Sequence, residues 1–343
     1  MDSVKIVAIL FSFFLAGCQE PATQSCDQKN FRYRFPKHFP KVVLPEDNLP
    51  NECRILLGRK LFYDKRLSKD QSLSCGSCHN LNMAFTDGQK TSKGFHQNAT
   101  QRNSPTLFNL AFAPYFLSEG GVKTLELQAL APLLDTVEMH GNAKGISPLL
   151  LHDSEIQKLS QQAYGRPLDY YVITRALACF QRSLISADTP FDHAYYYKDQ
   201  PWDSAVYRGW QLFQSKKLQC SECHQPPLFT DYQFYNIGLK NNNDLGKERE
   251  SYNIQDRGKF KTPTLRNIEL TPPYMHDGSL ATLEEVIEFY NKGGHTNPEN
   301  QDPRIQPLQL TIQEKSDLIQ FLESLTDWNA VQYERFLPLE QQR

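Results

Sequence analysis

Apolar residues along most of this chain recur at helical spacing. Within 169–186, Val172, Ala176, Cys179 and Ser183 fall at i, i+4, i+7 and i+11, one face of a helix. Val206, Gly209, Trp210 and Phe213 repeat the pattern over 204–213. Thr282-Leu283-Glu284-Glu285 reads as a capping box, with Thr282 as N-cap and Glu285 at the third helical position. The helix it opens carries Leu283, Val286, Ile287 and Tyr290 on its inner face. Thr311-Ile312-Gln313-Glu314 opens another, with Leu318, Leu322 and Leu325 inward. Loops rich in proline or glycine, such as 270–278 and 292–300, punctuate these segments, and sustained alternation of period two is nearly absent. The predicted fold class is mainly α.

The first apolar run is of another kind. It spans 6–16 after a lysine and ends in Leu15-Ala16-Gly17-Cys18. That is the h-region of an export signal, too short for a membrane-spanning helix of about 20 residues. Its end resembles the bacterial lipoprotein signal, in which cleavage precedes a cysteine that is then acylated. On that reading residues 1–17 are removed, Cys18 carries lipid and 18–30 form a tether. The alternative is an ordinary signal peptide with an incidental cysteine. No other stretch is apolar enough to span a bilayer, so the lipid is the only membrane contact expected, on the periplasmic side.

Composition narrows the function classes. The 343 residues carry 37 basic and 39 acidic side chains, which gives no support for a nucleic-acid partner. The hydrophobic share of 39% is low, but 12% aromatic residues exclude a disordered chain. Eight cysteines are too few for a disulfide scaffold. Their positions are more informative. Cys75-Gly76-Ser77-Cys78-His79 and Cys220-Ser221-Glu222-Cys223-His224 both follow C-x-x-C-H, the c-type haem attachment pattern. Two thiols three positions apart reach the porphyrin vinyl groups, and the adjacent histidine falls under the iron. Chance supplies roughly 0.005 such matches in a chain of this composition. A thioredoxin-like redox pair or a zinc site is the competing reading, weakened by the histidine after each motif and by the export signal. Two porphyrins also explain the modest hydrophobic share, because they fill core volume. The motifs lie far enough apart for one haem per domain, with a boundary near 198–201, and no tight internal repeat is visible beyond them.

Several further segments give the chain a family resemblance. These are Leu57-Gly58-Arg59-Lys60-Leu61-Phe62-Tyr63-Asp64, Arg102-Asn103-Ser104-Pro105-Thr106-Leu107-Phe108-Asn109 and Leu125-Glu126-Leu127-Gln128-Ala129 with Glu138-Met139. Thr262-Pro263-Thr264-Leu265-Arg266-Asn267 and Pro273-Tyr274-Met275-His276-Asp277-Gly278 complete the set. In their order and spacing the chain resembles the bacterial di-haem cytochrome c peroxidase/MauG family over nearly all of its mature length. The resemblance implies two cytochrome c-like domains: 31–198 around a peroxidatic haem on His79, and 199–343 around an electron-transfer haem on His224. It implies reduction of hydrogen peroxide at the first haem, with Gln128 and Glu138 on the distal side. A carboxylate there can move a proton between the peroxide oxygens. Asn103, Thr271 and Pro273 match positions that bind one calcium ion between the domains. Electrons would come from a small redox protein or from an oxidised protein substrate, and the family often forms homodimers.

The chain departs from the ordinary peroxidases in three places. The usual distal histidine of the first haem falls on Phe95, with His96 beside it; Phe95 leaves that iron five-coordinate, whereas a one-residue slip restores His96 as ligand. The usual methionine ligand of the second haem falls on Tyr290, as in the MauG branch, with Met275 as the rival. A phenolate lowers haem potential where a thioether raises it. The inter-haem tryptophan is missing from 115–121, leaving Tyr115 or Phe116 as aromatic candidates. Of the other cysteines, Cys26 and Cys53 either pair as a disulfide or stay apart, and Cys179 reads as a small core residue. His38, His140, His152, His193 and His295 read as surface or structural. The alternative function is a non-catalytic di-haem electron-transfer cytochrome, which Glu138 and the lack of an obvious distal ligand argue against.

Overall fold

Two helix crossings organise the molecule, each built around a glycine. The computed structural model describes residues 26, 33–140, 146–240, 244–295 and 300–341. The signal segment, Cys18 and all of the tether except Cys26 lie outside the described residues. Helix α1 (Glu52–Phe62) is capped by Asn51, whose side chain accepts from the Arg54 N–H, and crosses α2 (Tyr170–Arg182). A Cβ on Gly58 would lie 1.9 Å from the Ala176 carbonyl oxygen, so only glycine lets the two backbones approach this closely. Helix α3 (Ser204–Phe213) crosses α5 (Ile312–Glu323) in the same way, and a Cβ on Gly209 would lie 2.0 Å from the Asp317 carbonyl oxygen. Each glycine opens the same short string, Gly-x-x-Leu-Phe.

The structure thus contains an internal duplication, although the sequence shows no tight repeat beyond the two motifs. Asn109 and Asn267 both adopt left-handed backbone, with φ of 63° and 62°. Their N–H groups donate to Leu184 O (2.8 Å) and Leu325 O (3.0 Å), just past the ends of α2 and α5. Their side chains meet at Ser186: Asn109 Nδ2 donates to its carbonyl (2.9 Å) and Asn267 Nδ2 to its hydroxyl (2.9 Å). A further loop in each half is closed by an isolated bridge, Phe116 with Val122 and Tyr274 with Leu280. Two residues later a threonine caps the next helix, Thr124 before Leu125–Gln128 and Thr282 before α4 (Leu283–Asn291).

The fold is mainly α, as expected; the strands among the described residues, β1 (Phe234–Tyr235) and β2 (Phe260–Lys261), form one antiparallel pair. The first core holds Leu57, Phe62, Phe85, Phe108, Ile173 and Phe180, and the second holds Trp210, Phe213, Phe229, Leu318 and Phe321. Phe191 already packs in the second core, while Ala330, Val331 and Phe336 return to the first. Cys179 is fully buried in the first core. Cys26 and Cys53 form a disulfide, with Cα atoms 5.0 Å apart, that ties residue 26 to the start of α1. The predicted capping box at Thr311 forms in both directions. At Thr282 only half forms: its hydroxyl accepts from Glu285 N–H (3.3 Å), while the Glu285 carboxylate takes the N–H of Ala281 (2.6 Å).

Polar contacts fasten the halves to each other. Arg102 is half-buried between Glu119 and Asp244, and its guanidinium lies over the Phe260 ring. The Tyr115 ring stacks on Phe234 at 5.5 Å, and Lys261 Nζ donates to Tyr115 O (3.0 Å). Burial lowers Lys261 to about 8.

Candidate active site: two haem-attachment pockets

Each C-x-x-C-H motif folds as a single tight turn, and each turn aims its histidine in the same way. Cys75–Cys78 is one turn of helix whose entry is held by Ser74 N–H donating to Ser77 Oγ (3.0 Å). His79 Nδ1 lies 2.7 Å from Phe85 O, and His224 Nδ1 lies 3.1 Å from Phe229 O. A carbonyl only accepts, so each Nδ1 carries the proton and each Nε2 keeps its lone pair. Thr106 and Thr264 brace these loops, their hydroxyls donating to Ala84 O and Leu228 O, both at 2.6 Å. Burial lowers both histidines below the usual range, which keeps the imidazoles neutral as metal ligation requires.

The donor set fits a covalently attached haem. All four motif cysteines are free of disulfides, although each pair sits on one turn. Burial pushes Cys75 and Cys220 up to about 12 and Cys223 to about 11, so these thiols lack the lowered pKa of a thioredoxin-like pair. Among the described residues, no group of three or more His, Cys, Asp or Glu side chains is placed to hold a metal ion, which disfavours the zinc reading.

The two pockets diverge opposite their histidines. In the first, Thr124 caps a one-turn helix ending at Gln128, whose Oε1 is buried with no hydrogen-bond partner. Pro132 cannot donate to the Gln128 carbonyl, and the following short helix stops at Leu134. Asp135 Oδ1 then accepts from the N–H groups of Val137 (2.7 Å) and Glu138 (3.2 Å). This turn delivers Glu138 to the first motif, where its carboxylate acts electrostatically on both Cys75 and Cys78. Burial, reinforced by Asp135, raises Glu138 to about 7. Phe95 N–H donates to the carbonyls of Val137 and Glu138, both at 2.8 Å, and its ring is buried against His140. His96 faces solvent.

In the second pocket α4 runs unbroken to Asn291 and delivers Tyr290. Burial, then the Cys220 and Cys223 thiols, push the Tyr290 hydroxyl well above the ordinary tyrosine range. Met275 packs in the same small apolar cluster, among Leu239, Val286 and Phe289. Asn103 N–H donates to His276 O (2.9 Å), which places it beside the turn that follows Pro273. Thr271 donates its hydroxyl to Ile268 O (3.1 Å). Sequence reasoning missed the Arg102–Glu119–Asp244 cluster and the bracing by Thr106 and Thr264; the repeated Pro-Thr-Leu-x-Asn string was the available signal for the latter.

The sequence model described as di-haem cytochrome c peroxidase matches residues 52–200. The methylamine utilization protein MauG of Methylorubrum extorquens is 34% identical over 326 residues, covering 92% of this chain and 91% of that protein. This chain belongs to the di-haem cytochrome c peroxidase family. A second relative in the family, the cytochrome-c peroxidase IdrP1 of Denitromonas iodatirespirans, is 35% identical over 323 residues, 84% of this chain and 85% of its own. The crystal structure of a MauG-like protein associated with microbial copper homeostasis superposes with a TM-score of 0.84 at 33% identity, covering 91% of this chain and all of that one. The family di-haem peroxidase carries two c-type haems and is an oxidoreductase acting on hydrogen peroxide, with a redox protein or substrate as its partner. These relatives favour the peroxidase reading over the purely electron-carrying alternative.

Proposed function

We propose that hydrogen peroxide is reduced in the His79 pocket, with Glu138 moving the proton and Gln128 orienting the bound peroxide. Cys75, Cys78 and His79 hold the first haem, and Cys220, Cys223 and His224 hold the second. A haem held there would supply the redox-active iron and the two electrons that cleavage of the peroxide O–O bond consumes. The observation that carries the reading is Glu138, a carboxyl raised to about 7 beside the first motif, while His96 points to solvent. In its ionised form Glu138 accepts the proton from the near peroxide oxygen and returns it to the far one, so that water leaves. The buried Gln128 amide oxygen is an acceptor for a peroxide O–H. Phe95 is buried at the position that the resemblance gives to a distal histidine, and its phenyl ring offers the iron no ligand.

Tyr290 is our assignment for the residue that, with His224, would hold the iron of the second haem, ahead of Met275, because its hydroxyl is electrostatically coupled to both motif thiols. A metal ion at that position reverses the local balance and favours the phenolate. A tyrosinate favours shared oxidation with a protein substrate over uptake of electrons from a high-potential donor. Asn103, Thr271 and Pro273 are proposed to hold one calcium ion: the Asn103 amide nitrogen is engaged by Gln89 O (2.8 Å), and its oxygen stays available with the two backbone carbonyls. Export by the 1–17 signal, lipidation of Cys18, a periplasmic location and a homodimer complete the reading. No helix among the described residues is long and apolar enough to cross a membrane.

Stopped-flow mixing of the oxidised holoprotein with hydrogen peroxide tests the proposal. The bimolecular rate should rise with pH through about 7, as Glu138 loses its proton, and level off above it. Glu138→Gln should flatten that profile. A wild-type profile in this variant overturns the assignment.

A further inference from the structure

Away from both haem pockets, a cavity of about 340 Å³ opens between α1 and the C-terminal stretch, lined in part by Arg59, Lys60, Arg66, Tyr63, Pro338 and Leu339. Its cations are not equally matched. Arg66 is held by Asp64 (2.6 Å) and Asp153 (2.9 Å), and Lys60 by Glu155 (2.7 Å). Arg59 is only 5% exposed, and among the described residues no carboxylate lies within ion-pair distance of it. Its Nη1 donates to the carbonyl of Arg335 (2.8 Å), and its buried Nε has no partner. Burial, then the neighbouring Arg335 guanidinium, disfavours its charge. Lys65, exposed at the rim, likewise has no ion-pair partner among the described residues.

A buried guanidinium without an anion is costly, because no partner charge offsets the hydration it has lost. The compensation it lacks is a planar anion, because its fork of donors matches a carboxylate. Part of the lining is apolar. Pro338 and Leu339 supply it, and the Tyr63 hydroxyl is engaged as a donor to Phe336 O (2.6 Å). The Tyr63 ring also touches Gly76 within the first haem motif: a Cβ there would lie 2.4 Å from the ring.

We propose that this cavity is a binding site for a small organic carboxylate, its oxygens on Arg59 and its apolar body against Leu339, Pro338 and the Tyr63 ring. The site is distinct from the peroxide pocket, and the peroxidase reading assigns Arg59 no task. Lys65 adds a rim charge that draws the anion in, and the Tyr63 ring joins the occupant to the haem-bearing turn.

Calorimetric titration of the haem-loaded full chain tests this, with benzoate as the organic probe and inorganic phosphate as an anion without an apolar body. Benzoate should bind saturably, about tenfold tighter than phosphate, and without displacing the haem absorption band. Arg59→Gln should abolish benzoate binding and leave the peroxide reaction at the wild-type rate. Lys65→Ala, an exposed substitution that folds normally, should weaken benzoate binding about 2–5-fold, the range of a rim ion pair. Leu339→Ala should weaken benzoate and spare phosphate. The proposal fails if neither anion saturates, if phosphate binds as tightly as benzoate, or if benzoate shifts the haem band and binds equally well in both cation variants.

Discussion

The two haem pockets share a frame and differ in one helix. Both set a glycine at a helix crossing, a histidine whose Nδ1 faces a phenylalanine carbonyl, a threonine bracing that loop and a left-handed asparagine locked to the end of the crossing helix. From the threonine caps onward they part. Four residues after the cap stands Gln128 in one half and Val286 in the other; eight residues after it stands Pro132 in one and Tyr290 in the other. The proline ends the first helix early and a loop supplies Glu138; the second helix continues and supplies a phenol. Duplication fixes how each motif is held, and on the proposed reading the length of a single helix then decides whether the opposite face handles protons or is closed by a side chain.

The largest expected effect falls on the open side alone. Glu138→Gln should slow the reaction with peroxide by about 10²–10⁴-fold, the usual worth of a positioned acid–base group, while the absorption of the second haem stays as it was. Next comes a place where the halves differ in how they fill the same buried position. Phe108 stands in the first half where Arg266 stands in the second, and Arg266 is held by Asp192 through two 2.8 Å bonds with both side chains fully buried. Asp192→Ala leaves that guanidinium unpaired and should cost about 3–5 kcal/mol in chemical denaturation. A double variant that also carries Arg266→Met should recover much of the loss; further loss would show that the second half does not tolerate the apolar solution used by the first.

Gly58→Ala and Gly209→Ala probe what the halves share. Each inserts a methyl into a backbone contact and should cost about 1–3 kcal/mol, and by the duplication the two costs should agree within about 1 kcal/mol. A clear imbalance would break the equivalence of the crossings. The smallest effect belongs to His96→Ala. That side chain is exposed, so the peroxide rate should stay within about twofold; Phe95→His, in contrast, places a ligand in the pocket and should slow peroxide markedly.

Much of this was legible in the sequence, for physical reasons that can be stated. The helices over 170–182, 204–213, 283–291 and 312–323 declare themselves by apolar spacing and by side-chain caps, both local properties. The haem motifs are local as well. The duplication was hidden because its fragments are unevenly spaced: 17 residues separate Gly58 from Cys75, but 11 separate Gly209 from Cys220. Gly-x-x-Leu-Phe and Pro-Thr-Leu-x-Asn recur in order, and reading them as strings would have exposed it. The return of Ala330, Val331 and Phe336 to the first core was not legible, since apolar residues carry no mark of which core they fill. The burial of Phe95 with exposure of His96 rests on the backbone clasp between Gly94–Phe95 and Val137–Glu138, a contact between segments 43 residues apart.

Electron paramagnetic resonance of the oxidised holoprotein, beside that of Tyr290→Phe, tests the asymmetry most directly. An open first pocket and a tyrosine-closed second pocket predict one high-spin and one low-spin signal, with the substitution altering only the low-spin one. Two low-spin signals in the wild type, or a low-spin signal unchanged in Tyr290→Phe, would contradict the account.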